Sequence, residues 1–357
     1  MAKDDLTRFR RKFDEIDETL LRLLNERQAI SQTVGQYKSA NGLALFDPSR
    51  EIEIMDRLEK LNDGPLSSEA LQHIYREIFS ASRAVQGVLR VGYLGPEASF
   101  SHEAALNQFG RSVNLLAQDT IQEVFRGVDR DRLDYGVVPV ENSSQGGVGQ
   151  TLDLFLEYDL SVCLEIRLRI HHHLLGKAAD LAQVKRVYSH PQVFPQCSGW
   201  LAKNLPGLPL LEASSTSAAA RLAAQEDGTA AIASVLAAEI YGLEFLARAI
   251  EDAEENVTRF LVLSRKPGRR TGRDRTSLIL TVSDTPGALF SLLKPFAERG
   301  INLTKIESRP EKTEAWKYVF FVDIEGHVDD EPIRQTLEEA QRYTQRLKVL
   351  GSYPRVD

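Results

Sequence analysis

The stretch LTRFRRKFDEIDETLLRLLNERQAISQTVGQY, residues 6–37, decides how the first part of the chain folds. Its large apolar residues recur mostly every three or four positions and no proline interrupts them, which is typical of one amphipathic helix. At ~1.5 Å per residue such a helix approaches about 50 Å, longer than a small compact domain needs. The pattern therefore predicts a helical bundle that a second copy of the chain completes.

Further segments follow this helix with different rhythms. Asp47 and Pro48 form a strong helix start, and the break at 63–65 precedes another run of helical periodicity that ends near Leu89. Beyond it, short apolar runs alternate with helical patterns, which favours a two-lobed α/β segment. After the basic linker 265–275, the order strand, helix, strand, strand, helix, strand is that of a ferredoxin-like fold.

The sequence thus predicts a multidomain protein. We expect an all-α helical bundle at residues 1–89, a two-lobed α/β domain like the periplasmic binding proteins at 90–265, and an α+β ferredoxin-like domain at 276–354. A length of 357 residues fits two or three domains, and 42% hydrophobic with 27% charged residues argues against disorder or a disulfide scaffold.

Charge and cysteine content exclude other classes. The net charge of 44 − 51 = −7 disfavours nonspecific binding to nucleic acid or to an anionic membrane. No apolar run approaches the ~20 residues that span a bilayer, and residues 1–12 lack the apolar stretch of a signal peptide. The chain has only two cysteines, Cys163 and Cys197, which is too few for a disulfide scaffold and favours a reducing compartment. We therefore expect a cytoplasmic protein without a membrane or nucleic-acid partner.

Two cations interrupt the apolar stripe of the first helix. Arg27 follows Ile16 by eleven residues and Lys38 follows Arg27 by eleven, which places all three within about 40° on the helix. Buried unpaired charges cost several kcal/mol, so the two cations either pair with buried acids or snorkel to solvent, or they form an anion site. Arg10 lies about 25 Å along the axis from Arg27, so it could serve only a neighbour's site.

The runs RRKFDEIDETLLRLLNERQAISQTVGQYK, DPSRE and SASRAVQ resemble the helical-bundle chorismate mutases over nearly all of residues 5–89. The resemblance implies that two intertwined protomers build each site and rearrange chorismate to prephenate by orientation and electrostatics, without a cofactor. The residues that it implies are Arg27, Lys38 and Arg50 with the other chain's Arg10 at the carboxylates, Lys38 and Gln86 at the ether oxygen, and Glu51, Asp47 and Ser82 as orienting groups.

Small polar residues lie between strand and helix in GPEASFSHE, ENSSQGGVGQT, ASSTSAAA and AIASVLAAE. Hydroxyls and free amides at helix starts bind anions, although ordinary N-capping explains any one of these starts. Four of them in one α/β segment favour a cleft for a carboxylate. The glycine loop lacks the lysine of a Walker motif, and the first run lacks the glycines of a dinucleotide fingerprint.

The runs GYLGPEASFSHEAA, VVPVENSSQGGVGQTLDL, SHPQVFPQC, STSAAA and ENVTRF, in this order, resemble prephenate dehydratase. The resemblance implies that prephenate loses carbon dioxide and its ring hydroxyl to give phenylpyruvate, with Thr258 positioned at the departing hydroxyl. A neutral Thr is a poor acid, so this role is positional. The supporting residues that we expect are Ser99, where the family more often carries Thr, and Glu141, Asn142, Ser143, Thr216 and Arg259.

The histidine run at 171–173 suggests a metal site at first sight. In a strand, adjacent side chains point to opposite faces, so His171, His172 and His173 cannot all converge on one ion. The sequence therefore predicts no metal and no cofactor. Cys197 is interpreted as a buried packing residue.

The motifs TPGALFSLL and INLTKIESRP resemble the ACT regulatory domain. The resemblance implies phenylalanine as a feedback inhibitor bound at an ACT dimer interface. The contacts that we expect are Gly287, Ala288, Leu289, Asn302 and Leu303. A purely structural dimerisation module is the alternative.

Together these features predict a bifunctional chorismate mutase/prephenate dehydratase with a C-terminal ACT domain, assembled as a homodimer or tetramer. Its substrates would be chorismate and prephenate, and its effector phenylalanine. Two alternatives remain open on the sequence: a noncatalytic two-lobed receptor for small anions with a helical dimerisation arm, and an enzyme in which only one catalytic domain is active.

Overall fold

The structure is a computed structural model that describes residues 2–144, 146–253, 255–283, 285–310 and 318–356, with side chains from residue 5 onward. Gln145 of the predicted glycine loop lies outside the described residues. The chain divides into two compact units, residues 1–90 with 107–114, and residues 91–106 with 115–357.

The first unit is built from α1 (Ala2–Ala40), α2 (Pro48–Leu61) and α3 (Ser68–Gln86). Asp47 caps α2 by accepting a hydrogen bond from the Arg50 backbone NH, and Pro48 occupies the first turn, where a missing NH costs nothing. Ser67 caps α3 in the same way, accepting from the backbone NH of Ala70. The helical character predicted for this part of the chain is confirmed.

Gly35 is the one buried residue among the described side chains of α1, and at this position α1 packs closely on α3. A Cβ at Gly35 would lie 2.5 Å from Gln86 Cα, so only glycine permits this approach. The large apolar side chains along the rest of the α1 stripe remain exposed in one chain: Leu6, Phe9, Phe13, Ile16, Leu20, Leu23, Ile30 and Val34.

The second unit begins with β1 (Arg90–Leu94), α4 (Phe100–Phe109), β2 (Asn114–Gln118), α5 (Ile121–Asp129), β3 (Tyr135–Asn142), β4 (Gly146–Gly147), α6 (Gly149–Glu157) and β5 (Ser161–Arg169). The chain then forms β6 (His173–Gly176), β7 (Arg186–Ser189), α7 (Ser198–Asn204), β8 (Leu210–Glu212), α8 (Thr216–Gln225), β9 (Thr229–Ala233), α9 (Val235–Tyr241) and β10 (Glu244–Ala247) before it returns in β11 (Val257–Ser264).

These strands form two sheets, and hence two lobes. The first lobe has the order β2-β1-β3-β11-β5 with β4 paired to β3, and the second has the order β10-β6-β9-β7-β8. Strand β11 lies between β3 and β5 and is antiparallel to both. The chain therefore leaves the first lobe once and comes back to it, and the predicted two-lobed α/β architecture is confirmed.

The last part contains β12 (Asp274–Thr281), α10 (Ala288–Glu298), β13 (Leu303–Pro310), β14 (Tyr318–Glu325), α11 (Glu331–Ala340) and β15 (Arg346–Pro354). Its antiparallel sheet has the order β13-β14-β12-β15, and we call it the ferredoxin-like sheet. The βαββαβ order predicted from the sequence is confirmed.

One apolar core joins the first lobe to the ferredoxin-like sheet. It contains Phe155 and Leu263 from the lobe together with Ile279, Phe321 and Tyr353 from the sheet, all nearly or fully buried. Burial of apolar surface is the main favourable term in folding, so these two layers stabilise each other. Among the described helices, none is both long and apolar enough for a bilayer crossing.

Candidate active sites

Arg27 lies where α1 faces α3 in the first unit. Its guanidinium donates a hydrogen bond to Ser82 Oγ and lies 5.6 Å from the ring centroid of Phe79. Burial lowers the pKa of Arg27, while the charges of Tyr75 and Glu51 oppose that shift. The predicted pair of Arg27 and Ser82 is therefore brought together, with the guanidinium half-buried rather than in bulk solvent.

Glu51 in the first turn of α2 is held by a residue that sequence reasoning missed. Arg83 of α3 forms an ion pair with Glu51, and its side chain is only 3% exposed. Arg83 also donates to the Phe109 carbonyl at 2.6 Å. Burial raises the pKa of the Glu51 carboxyl, and the charge of Arg83 opposes this shift. The run SASRAVQ contains Arg83, but only the fold shows that it is buried.

Lys38 and Asp47 lie near Glu51, and Gln86 lies at the end of α3 against Gly35 of α1. Lys38 Nζ donates to the Leu45 carbonyl at 2.7 Å, and the charges of Asp47 and Lys38 both act on the Glu51 carboxyl. Gln86 Oε1 is buried and, among the described residues, has no hydrogen-bond partner. A buried polar atom left unbonded is costly, so this oxygen marks a polar position that a bound molecule would satisfy.

Two cations predicted for this site lie elsewhere in a single chain. Arg50 is 59% exposed and its Nη1 is 2.9 Å from Glu53 Oε2, so the structure does not bring it to Arg27 and Lys38. Arg10 is exposed on the N-terminal half of α1, about 25 Å from Arg27 by helix geometry. The prediction that Arg10 serves a neighbour's site fits this separation.

Thr258 begins a chain of polar side chains that crosses from the first lobe toward the second. Asn142 at the end of β3 pairs with Thr258 of β11, and its Nδ2 donates to Thr258 Oγ1 at 2.9 Å. The same amide lies 2.8 Å from Asn256 Oδ1, and Asn256 Nδ2 donates to Gln196 Oε1 at 2.8 Å. His172 Nε2 is 3.2 Å from that Gln196 oxygen.

Ser143 fixes the backbone beside Thr258. Its Oγ donates to the Glu255 carbonyl and accepts from the Val257 NH, each at 3.0 Å. The Ser143 NH also donates to the Val257 carbonyl at 2.9 Å. The structure thus brings Asn142, Ser143 and Thr258 together. Ser143 is hydrogen-bonded to the backbone at the start of β11.

The hydroxyls at the helix starts are used mostly for N-capping and for hydrogen bonds to nearby backbone carbonyls. Ser99 Oγ accepts from the His102 NH at 3.2 Å, which is an ordinary N-cap bond. Ser217 donates to the Glu97 carbonyl, and Ser234 Oγ lies 3.4 Å from the Ala98 carbonyl. Thr216 opens α8, beside a cavity of about 390 Å³. The cavity is lined by Gly95, Pro96, Ala117, Asp119, Ser214, Ser215, Ser217, Ala218, Arg221 and Tyr241.

Glu103, in the first turn of α4, is a second residue that sequence reasoning missed. Burial raises the pKa of its carboxyl to about 7, although His171 and a hydrogen bond with Ser234 oppose the shift. Its Oε2 is buried and lacks a hydrogen-bond partner among the described residues. Phe100 of the same helix packs edge-on against the His172 ring, with centroids 5.7 Å apart. Glu103 thus lies on the helix that borders the far end of the Thr258 chain.

Each histidine of the run at 171–173 has its own partner. His171 Nδ1 is 2.7 Å from Glu251 Oε1, and His173 Nδ1 accepts from the Ala249 NH at 3.1 Å. Within the ranges that the structure covers, no group of three His, Cys, Asp or Glu residues is arranged to hold a metal ion. Cys197 is fully buried, which agrees with a packing role.

Arg259 does not share the side of β11 that Thr258 occupies. Its Nε is 2.8 Å from Glu165 Oε2, its Nη1 2.6 Å from Asp323 Oδ2, and its Nη2 2.8 Å from Tyr353 Oη. Burial alone would lower the pKa of Arg259, but Tyr353, Asp323 and Glu165 together raise it. The guanidinium is therefore turned to the ferredoxin-like sheet.

Glu141 lies on the same side as Arg259. Its Oε2 is 3.0 Å from Lys305 Nζ of β13 and 3.7 Å from Arg259 Nη1. Successive strand residues point to opposite faces, so Glu141 and Arg259 face away from their neighbours Asn142 and Thr258. The prediction that Glu141 and Arg259 bind substrate beside Thr258 does not fit these positions, because strand parity turns both toward the ferredoxin-like sheet.

The predicted effector contacts fall into two groups. Gly287, with φ +82°, precedes Ala288 and Leu289 at the start of α10. Asn302 and Leu303 follow the end of α10, which at 11 residues spans about 16 Å. Within one chain the two groups are thus separated by a whole helix.

Three family models match successive parts of the chain: chorismate mutase type II at residues 9–87, prephenate dehydratase at 91–268, and the ACT domain at 276–341. The bifunctional chorismate mutase/prephenate dehydratase of Aquifex aeolicus is 46% identical over 99% of this chain and 98% of the relative.

Solved structures resemble most of the chain. A prephenate dehydratase from Arthrobacter aurescens in complex with L-Phe is 33% identical, with a TM-score of 0.69 over 74% of this chain and 89% of that chain. The prephenate dehydratase from Staphylococcus aureus is 30% identical, with a TM-score of 0.66 over 74% and 100% of the two chains.

Fold and sites together define a multidomain protein with a helical-bundle catalytic unit, a two-lobed α/β catalytic domain and an ACT domain. The 46% sequence identity to the Aquifex aeolicus relative, over nearly the whole of both chains, then identifies the family. It belongs to the family of bifunctional chorismate mutase/prephenate dehydratases.

Proposed function

We propose that this chain catalyses two consecutive steps of phenylalanine biosynthesis. The first unit rearranges chorismate to prephenate, and the second converts prephenate to phenylpyruvate under inhibition by phenylalanine. The observation that carries the proposal is that each unit contains a preorganised polar cluster of the matching chemistry: Arg27, Lys38 and Glu51 in one, and Asn142 and Thr258 in the other.

The mutase step needs orientation rather than a nucleophile. Chorismate carries two carboxylates, and Arg27 and Lys38 supply positive charge on one side of α1. Ser82 fixes the Arg27 guanidinium, and Arg83 fixes the Glu51 carboxylate. Because the Arg27 guanidinium is held before substrate binds, it can bind a carboxylate of chorismate with little reorganisation, while Lys38 and Gln86 would stabilise the negative charge that develops at the ether oxygen.

A homodimer completes the mutase sites in this proposal. The α1 stripe leaves Phe13 65% exposed and Leu20 51% exposed, and such a row of apolar side chains on a long helix favours pairing with a second copy. Arg10 would then reach the other chain's Arg27 cluster, which it cannot reach within its own chain. Two-fold symmetry would give two equivalent sites per dimer.

The dehydratase step requires a proton for the departing hydroxyl. Because the Asn142 amide donates to Thr258 Oγ1, the Thr258 hydroxyl can direct its own proton toward a ligand. A neutral hydroxyl orients a leaving group but is a poor acid. We infer that Glu103 supplies the proton, because its Oε2 is buried without a hydrogen-bond partner among the described residues and its helix packs against His172 of the Thr258 chain. Its pKa of about 7 suits this role, since a catalytic acid works best with a pKa near the operating pH.

The chemistry then balances as follows. The ring carbon–oxygen bond breaks, and the hydroxyl takes the proton of Glu103 and leaves as water. The bond to the ring carboxylate breaks to release carbon dioxide, and its electron pair completes the aromatic ring. The Glu103 carboxylate regains a proton from solvent.

The effector site is proposed to combine two chains. Gly287 to Leu289 of one protomer and Asn302 and Leu303 of another would meet if the ferredoxin-like sheets paired with two-fold symmetry, because the two groups lie at opposite ends of α10. Beyond the dimer, further pairing into a tetramer is compatible with this arrangement. The buried free thiols of Cys163 and Cys197 support a reducing compartment such as the cytoplasm.

Two variants test the proposal separately. Arg27→Ala should abolish the loss of chorismate and leave conversion of prephenate to phenylpyruvate within about twofold, and Thr258→Val should do the reverse. Each activity serves as the control for the other, because both variants retain one working unit. A purified chain that bound prephenate but neither consumed chorismate nor formed phenylpyruvate would instead be a two-lobed receptor.

A further inference from the structure

Strand β11 carries two polar side chains to opposite sides of one sheet. Thr258 pairs with Asn142 on β3, and the next residue, Arg259, pairs with Glu141. Side chains at adjacent strand positions point to opposite faces, so one peptide unit links the proposed dehydratase site to the ferredoxin-like sheet.

Arg259 contacts acceptors from both layers. Glu165 comes from β5 of the first lobe, whereas Asp323 and Tyr353 come from β14 and β15. The Glu165 side chain is completely buried, and Asp323 is 6% exposed. We call Arg259 and these three acceptors the Arg259 cluster.

Neighbouring groups hold the acceptors of the Arg259 cluster in place. Ser277 of β12 donates to Asp323 Oδ1 and lies within hydrogen-bond distance of Tyr353 Oη. Arg275 of the same strand pairs with Glu165, and the Val356 NH donates to Glu165 Oε1 at 3.0 Å. A guanidinium presents its donors in a rigid planar fork, so its orientation follows the positions of these acceptors.

We propose that Arg259 is a positioning residue for the dehydratase reaction, through which the docked ferredoxin-like sheet sets the place of Thr258. The inference rests on the proposed dehydratase function. Loss of the hydrogen bonds from Arg259 to Asp323 and Tyr353 would let Arg259 shift, and the shift would reach Thr258 because it is the adjacent residue on β11. Misplacement of a catalytic group by ~1 Å can cost about 100-fold in rate.

A second contact supports this coupling. Lys305 of β13 lies 3.0 Å from Glu141, the residue that precedes Asn142. The Glu307 carboxylate lies against Gly147 of the glycine loop, where an added Cβ would meet its oxygens at 2.5 Å. The ferredoxin-like sheet thus contacts both neighbours of the Thr258–Asn142 hydrogen bond, on β11 and on β3.

The first two variants of the test change only residues of the ferredoxin-like sheet. Asp323→Asn removes the negative charge that the ferredoxin-like sheet places beside Arg259, and Tyr353→Phe removes one hydroxyl while it keeps the ring. We expect the dehydratase kcat to fall about tenfold in Asp323→Asn and about threefold in Tyr353→Phe, with KM within about twofold. Mutase activity of the same chains should stay within about twofold, because the mutase cluster lies in the other unit.

Glu325→Gln is the matched control, since Glu325 lies on β14 two residues from Asp323 but pairs with Arg355. It should leave both activities unchanged. Arg259→Lys should also lower the dehydratase kcat, because a single ammonium cannot replace the planar fork. If Asp323→Asn disrupts the ferredoxin-like sheet, the dehydratase kcat of Tyr353→Phe alone tests the proposal.

Two results would overturn the proposal. One is a dehydratase kcat within about twofold of the unmodified chain in Tyr353→Phe and in folded Asp323→Asn. The other is an effect of Arg259→Lys on KM alone, which would make Arg259 a substrate contact. Failure of the proposed function would look different, because the unmodified chain itself would then form no phenylpyruvate.

Discussion

Complementation between two inactive chains would reveal whether the mutase site is shared. Arg10 and Arg27 are seventeen residues apart on the single helix α1, hence about 25 Å along its axis. One chorismate molecule cannot span this distance. If both residues act on the same substrate, they must come from different chains, and Arg10→Ala and Arg27→Ala should each lose mutase activity.

The recovered activity follows from two-fold symmetry. In a mixed dimer, one site combines the intact Arg27 of the first chain with the intact Arg10 of the second, and the other site carries both changes. Co-expression with two different tags and double purification would isolate this species. We expect about half of the mutase activity of the unmodified dimer, compared with almost none for either variant alone.

A matched control uses two residues of one cluster. A mixed dimer of Arg27→Ala with Lys38→Ala has one change in each site, because both residues come from the same protomer, and it should recover nothing. Dehydratase activity in all samples would report the amount of folded enzyme. The shared-site reasoning fails if the Arg10→Ala and Arg27→Ala mixed dimer is as inactive as its parents, or if Arg10→Ala alone is fully active.

Three other changes give distinct outcomes. Leu20→Asp should weaken dimerisation, because it removes ~1 kcal/mol of apolar burial per protomer and adds the cost of a buried carboxylate. Analytical ultracentrifugation and mutase assays should detect the weaker dimer, whereas Asn25→Asp, on the opposite face of α1, should leave dimerisation unchanged. The dehydratase rate should fall as pH rises through about 7, because Glu103 then loses its proton, and Glu103→Gln should give a low rate without that pH step in a kcat profile. Arg83→Met should destabilise the first unit by ~3–5 kcal/mol in denaturant unfolding, because it leaves Glu51 buried and unpaired, and Arg83→Met with Glu51→Gln should be less destabilised than Arg83→Met alone.

The sequence predicted the elements and their order well, because both depend on short-range patterns. The period of apolar residues at 6–37 gave α1, and the strand and helix signals after residue 275 gave the ferredoxin-like order. The resemblance to prephenate dehydratase named Asn142 and Ser143 together with Thr258, and the structure places both of them beside it. Local spacing could not have paired them, because Asn142 and Thr258 are 116 residues apart in the sequence.

Other parts of the site depended on contacts that spacing does not encode. Both faces of β11 are covered by polar partners, so alternation could not say which face holds Arg259. Arg50 occupies an exposed position and pairs with Glu53, because the first turn of α2 turns Glu51 toward α3 instead. Glu103 looked like any acidic residue in a first helical turn until packing removed its carboxyl from water.

By itself, the sequence determined the helical and α/β segments, their order, and most of the residues proposed for the two sites, but not Arg83 or Glu103. Only the tertiary structure decided which of those groups share a site, which face the ferredoxin-like sheet, and which become buried. The physical reason is that periodicity is set by the geometry of one helix or strand, whereas burial, strand-face assignment and charge pairing arise from segments far apart in the chain that meet only in the folded protein.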